Sequence, residues 1–162
     1  MNPDPLILVV DDLARNVRLL EAVLSPKGFR VAAASSGEQA LDVLSKEHPD
    51  VVVLDILMPG MDGYEVCRRI RQDPGTAFLP VIMITASGEE EKIRAIEAGA
   101  DDFVSKPFDQ AELLARVRSL VRIKRYHDTI EHQADELAGW NRELEQRVQD
   151  QIEQLERVSR LR

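Results

Sequence analysis

Asp11, Asp12, Asp55, Thr85 and Lys106 are the residues of this chain whose types could do chemistry together. Three carboxylates can share a hard divalent cation, a lysine can neutralise an anionic oxygen as a compact point charge, and a threonine can donate a hydroxyl. This set suits phosphoryl transfer to a carboxylate, a reaction that depends mostly on positioning and charge neutralisation. Asp55 is the candidate nucleophile. Asp11 and Asp12 would crowd it with like charge unless a cation sits between them. Mg²⁺ fits, because it accepts few protein carboxylates and keeps several waters. Taken singly, each residue has a plainer reading: a turn threonine, a solvated lysine, an acidic pair capping a helix. The chemical reading rests on how the chain would bring them together.

The elements that must position them are short apolar runs. Residues 6–12 read LILVVDD, residues 51–55 VVVLD and residues 81–85 VIMIT, and a fourth stretch, ADDFVSKPF, covers residues 100–108. Each run has the length and β-branched content of a buried parallel strand, so each polar residue falls at or just past a strand's carboxyl end. In open α/β sheets ligands bind along that edge. Strands are expected near 6–10, 30–34, 51–55, 80–85 and 102–105, alternating with helices that cover both sheet faces. Ser36 with Gln39, and Ser87 with Glu90, have the spacing of helix-opening capping boxes. Gly28 and Gly99 stand where helices should stop, and Pro74–Gly75 marks a loop before the fourth strand.

Residues 1–122 resemble the receiver domain of bacterial two-component response regulators. The resemblance is carried by the Asp11–Asp12 pair, LDILMPGMDG (54–63), TA (85–86) and GADDFVSKPF (99–108), in that order. It implies a flavodoxin-like, doubly wound five-stranded parallel sheet of order 2-1-3-4-5. It also implies a histidine kinase as phosphodonor and Mg²⁺ as cofactor. Asp12, Asp55 and the backbone carbonyl of Leu57 would be direct ligands, with Asp11 acting mainly through water. Lys106 and Thr85 would each meet a phosphoryl oxygen, and Pro107 would follow a cis bond. Phe103 would turn inward as the switch aromatic, without the hydroxyl of the tyrosine common there; the alternative is a core role at the sheet edge. The surface from the fourth to the fifth helix is the usual dimer face. Here it offers Lys92, Glu97, Asp101, Glu112, Arg116 and Arg118, a set that equally suits an ordinary solvated face. Leu57 and Ser87 occupy places that tune phosphoryl lifetime in the family.

Composition narrows the function classes. A chain of 162 residues holds one domain and an appendage, and its single cysteine, Cys67, excludes an internal disulfide. That fits a reducing, cytoplasmic compartment. There is no long apolar run for a membrane span and no basic-then-apolar leader. Residues 109–162 hold ten Lys/Arg and eleven Asp/Glu, so nearly all of the net charge of −8 lies before them. That acidity argues against a nucleic-acid surface. The basic run Arg116–Arg125 does not reverse this, because its apolar residues keep helical spacing.

From Asp109, a plausible N-cap, to Arg162 there is no proline and only Gly139 among glycines. Apolar residues recur at heptad spacing. Leu120, Ala134, Val148 and Leu155 fall at a, and Ile123, Ile130, Leu137, Leu144 and Val158 at d. His127 and Asn141 also fall at a, Gln151 falls at d, and Ile152 beside it suggests a stutter. Residues 123–162 therefore read as a signalling helix continuous with the last receiver helix and forming a parallel two-stranded coiled coil. Asn141 would favour that register, and Gly139 is a point where a bend or fraying would begin. The coil reaches Arg162 without a stop signal, so an effector domain in cis is expected beyond it. Residues 140–162 resemble linkers that precede class III adenylate/guanylate cyclase domains; similar helices precede diguanylate cyclases. No cyclase-like sequence lies within these residues, so the chain itself is read as a phosphoacceptor and not as an enzyme. Two other readings compete: a stand-alone dimeric interaction protein, and an aspartate-nucleophile phosphohydrolase. The latter would need an acid/base carboxylate close to the nucleophile, where this chain has Leu57.

Overall fold

A computed structural model describes residues 3–86 and 88–161. Five strands and five α-helices alternate: β1 (Leu6–Val10), α1 (Ala14–Leu24), β2 (Arg30–Ala34), α2 (Gly37–Lys46), β3 (Val51–Asp55), α3 (Gly63–Gln72), β4 (Val81–Thr85), α4 (Glu89–Ala98), β5 (Asp102–Ser105) and α5 (Gln110–Arg160). The strands form one parallel sheet of order β2-β1-β3-β4-β5. This is the flavodoxin-like topology expected. The chain divides into two compact units, Met1–Arg125 and Tyr126–Arg162.

Every residue of β1, β3 and β4 is buried. Successive strand side chains alternate between faces, so the apolar runs feed two cores. Leu8, Val10, Val52, Leu54, Val81 and Met83 pack with α2, α3 and α4 on one face. Ile7, Val9, Val51, Val53, Ile82, Ile84 and Val104 pack with α1 and the start of α5 on the other. With both faces covered, the sheet can offer polar groups only at its ends.

Local signals set the helix ends. The Ser36 hydroxyl accepts from Gln39 N (3.1 Å), but the returning Gln39 Oε1 takes Ser35 N (2.6 Å), one residue earlier than a standard capping box. Gly28 and Gly99 adopt φ of 90° and 101°, the left-handed conformation that suits glycine at a helix end. Helix α4 starts after Gly88 rather than Ser87, which lies outside the described residues together with its expected box to Glu90. Asp109 caps α5 by accepting from Ala111 N at 2.9 Å. Helix α5 passes through Gly139 without interruption: one glycine costs only about 1 kcal/mol, which a helix of many residues tolerates.

In the first unit α5 buries Leu113, Leu114, Val117, Leu120 and Val121. Leu120, read as the first a position of the coil, thus belongs to the domain's own core. In the second unit no described residue is buried. Ile130, Leu137, Leu144, Val148 and Leu155 stay 53–69 % exposed, and Asn141 is exposed on the same helix. Arg162 lies outside the described residues.

Candidate functional site

β1, β3, β4 and β5 end at one rim, and the five chemically distinctive residues follow from their lengths. Asp55 closes β3 with its side chain buried, 5 % exposed. A short loop leads from it to α3, which Asp62 caps by accepting from Glu65 N at 2.9 Å. Gly63, the first residue of α3, donates its N–H to the Ile56 carbonyl (2.9 Å). A Cβ on Gly63 would collide with the Asp55 carbonyl oxygen and lie 2.8 Å from Ile56 Cα. The helix can therefore close on the backbone of Asp55 only because this residue has no side chain.

Asp11 and Asp12 follow β1 directly. Asp11 is buried, its N–H donates to Ala34 O (3.1 Å), and its Oδ1 accepts from Leu13 N (2.9 Å). Asp12 is half-buried. One carboxylate oxygen from each of Asp11, Asp12 and Asp55 can be chosen so that all three lie within 4.8 Å of one another. Lys106 leaves β5 and reaches the same point, its Nζ donating to Asp55 Oδ1 at 3.0 Å. It precedes a cis bond to Pro107.

The charges do not balance around Asp55. Burial raises the Asp55 pKa above the ordinary carboxylate value; the Lys106 hydrogen bond opposes this, and the negative charge of Asp11 adds to it. Three hard-oxygen anions against one ammonium form a donor set that fits a small divalent cation such as Mg²⁺.

Thr85 ends β4, fully buried. Its Oγ1 lies 3.4 Å from Ser105 Oγ, and its carbonyl accepts from Lys106 N at 2.7 Å. Sequence reasoning missed Ser105. The signal was the parallel register, which sets Thr85 opposite Ser105. Phe103 is half-buried rather than part of either core, and Lys92 Nζ stands 5.3 Å from its ring centroid. The Leu57 side chain is largely exposed.

Some of the residues read as a dimer face also make bonds within the chain. Asp101 bonds Arg71 of α3 (2.6 Å) and Val81 N (2.8 Å). Arg116 holds Asp102 at 2.6 and 2.7 Å and Glu112 at 3.0 Å, which raises its own pKa, Asp102 being the larger influence. Glu97 and Arg118 are exposed.

The response regulator receiver domain family matches residues 7–118, which include all five rim residues. The chain belongs to this family. It is 50 % identical over 119 residues to the response regulator PleD of Caulobacter vibrioides, covering 73 % of this chain and 26 % of PleD. It thus spans about a quarter of that relative's length. A response regulator structure from Chloroflexus aurantiacus J-10-fl superposes with a TM-score of 0.72 at 43 % identity, covering 75 % of this chain and 99 % of that one. The receiver domain of an HD domain-containing protein from Pseudomonas fluorescens Pf-5 reaches 0.73 at 28 % identity, covering 79 % and 94 %. Receiver domains are phosphorylated by histidine kinases, bind Mg²⁺ at an acidic cluster and pass signals to output domains. The acidic cluster here is Asp11, Asp12 and Asp55.

Proposed function

We propose that this chain is a phosphoacceptor switch in which Asp55 takes a phosphoryl group from a histidine kinase and a dimeric coiled coil carries the change to an output domain. The observation that carries the reading is the convergence on Asp55: two further carboxylates within 4.8 Å and Lys106 at 3.0 Å. An Asp55 oxygen bonds to phosphorus as the bond from phosphorus to the donor breaks, and the leaving group departs with that electron pair. Asp11, Asp12, Asp55 and the Leu57 carbonyl would hold Mg²⁺, which when bound neutralises charge on the phosphoryl oxygens. Lys106 exchanges its bond to the carboxylate for one to a phosphoryl oxygen. Thr85 turns its hydroxyl from Ser105 to another, and Phe103 follows inward. The phosphoryl group shifts the conformational balance only by binding one arrangement better than the other.

The coiled coil is supported by the heptad-spaced apolar residues left exposed from Ile130 to Leu155. A second copy of the chain in parallel register covers them, with Asn141 opposite Asn141. The domain limits are 1–122 for the receiver and 123–162 for the coil. The output domain is a nucleotide cyclase, a reading supported by the resemblance of residues 140–162 to cyclase linkers. The protein works in the cytoplasm, without nucleic acid or membrane as partner.

Intact-mass spectrometry after incubation with Mg²⁺ and acetyl phosphate tests the acceptor chemistry. A gain of about 80 Da, one phosphoryl group, is expected for the chain and none for Asp55→Asn. No gain in the folded, Mg²⁺-loaded chain overturns the reading.

A further inference from the structure

One hydrogen bond beside the switch threonine has no part in the chemistry above. The N–H of Ala86, the first amide after Thr85, donates to Glu91 Oε2 at 2.9 Å. Glu91 lies in the first turn of α4, whose N-cap, Gly88, has no side chain to offer that turn. Its carboxylate therefore reaches back past the cap and ties the end of β4 to the helix. The anchor is itself fixed to α3. Buried Tyr64 directs its hydroxyl at the Glu91 carbonyl (3.4 Å), and Arg94 lies 4.2 Å from the centre of the Tyr64 ring.

We propose that Glu91 is a positioning residue that latches the chain after Thr85 in its resting place, so that accepting a phosphoryl group on Asp55 requires the Ala86–Glu91 bond to open. The proposal rests on the reading of Thr85 as the phosphoryl-sensing residue. If Thr85 is to move, the amide bonded to its own carbonyl carbon moves with it, and that amide is held by an ionised acceptor, the stronger kind of hydrogen bond. The arriving phosphoryl group adds about one negative charge to the same rim, since a dianionic acyl phosphate replaces the Asp55 carboxylate. A carboxylate is the side chain that this charge repels. One group thus stabilises the resting arrangement and is pushed aside by the signal. Two states separated by such a bond shift in population when it is removed.

The test compares the full chain with Glu91→Ala, Glu91→Gln and Glu90→Ala. Glu90 carries the same charge in the same turn of α4. Two readouts are taken: hydrogen exchange of the Ala86 amide without phosphodonor, and the rate of phosphoryl gain from acetyl phosphate with Mg²⁺. Glu91→Ala should speed both by about threefold to tenfold, the range a partly exposed charge-assisted bond controls. Glu91→Gln, which keeps an acceptor oxygen but no charge, should fall between it and the unaltered chain. Glu90→Ala should leave both unchanged. Equal phosphorylation of Glu91→Ala and the unaltered chain overturns the latch while leaving Asp55 as acceptor. Equal acceleration by Glu90→Ala also overturns it, assigning the effect to net charge. Absence of phosphoryl gain in every variant overturns the acceptor reading, and the latch with it, even where the amide exchange differs.

Discussion

In Met1–Arg125 every residue of three strands is buried, whereas in Tyr126–Arg162 no described residue is. Both units are written in regular apolar repeats. The first satisfies the repeat of its central strands within one chain, because helices on both faces of the sheet cover them. The second leaves its heptad-spaced Ile, Leu and Val exposed, the pattern on which the proposed coiled coil rests. A buried repeat reports a fold, while an exposed one supports the proposed association.

The sharpest way to break the comparison is to place the same insult in both units. Val53→Asp puts a carboxylate in the central strand at a site with no exposure. It should abolish cooperative unfolding, since burying an unpaired charge costs several kcal/mol against a total stability of about 5–15 kcal/mol. Leu144→Asp should leave the receiver's Tm within about 1 °C while abolishing the dimer. Circular-dichroism melts and sedimentation velocity on both variants decide this. A receiver destabilised by Leu144→Asp would mean that the two units are not independent.

Removing residues 126–162 is a milder cut along the same line. The full chain should sediment as a dimer at about 20 μM and the shortened chain as a monomer, with receiver Tm changed by less than about 3 °C. A full chain that sediments as a monomer would refute the coiled coil.

Within the receiver, Asp55 is the place where burial works against stability. Its pKa is raised in the folded chain, so its contribution is fully present below the ordinary value of 3.8 and is lost as pH rises through the folded pKa. At neutral pH without Mg²⁺, Asp55→Asn should therefore raise Tm by about 3 °C. Mg²⁺ should raise the Tm of the unaltered chain more than that of the variant. A differential scanning fluorimetry series in EDTA and Mg²⁺ reads both effects.

The smallest effect concerns Cys67, buried in α3, whose thiol pKa burial pushes up to about 11. At pH 8 the folded receiver should react with a thiol reagent at least about a hundredfold more slowly than the unfolded chain. Its contribution to stability should fade only as pH climbs from the ordinary 9.0 toward about 11. Fast labelling at pH 8 would show that this helix opens far more readily than its burial implies.

The strands and the rim were legible because a doubly covered parallel strand is an unbroken apolar run, and the first polar residue marks its end. Asp55 and Thr85 were located that way, and Lys106 by the short run before it. Pairings between distant side chains were not legible. Asp101 turns to Arg71, thirty residues earlier, and nothing local in the sequence selects that partner over one across a dimer face. The Gln39 bond goes to Ser35 instead of Ser36, a shift of one residue that the capping-box spacing does not select. Leu120 takes an a position of the heptad register and still belongs to the receiver's core for a geometric reason. Over a single turn, a 3.6-residue core stripe and a 3.5-residue coil seam predict the same apolar position.

Gly63 has a consequence for how such a rim can drift over time. The limit at this position is backbone against backbone, since an added carbon would meet the Asp55 carbonyl and Ile56 Cα. No exchange of neighbouring side chains can make room for it. The position of Asp55 is thereby written into the path of the chain, and the surrounding rim is free to change its partners without moving the proposed acceptor.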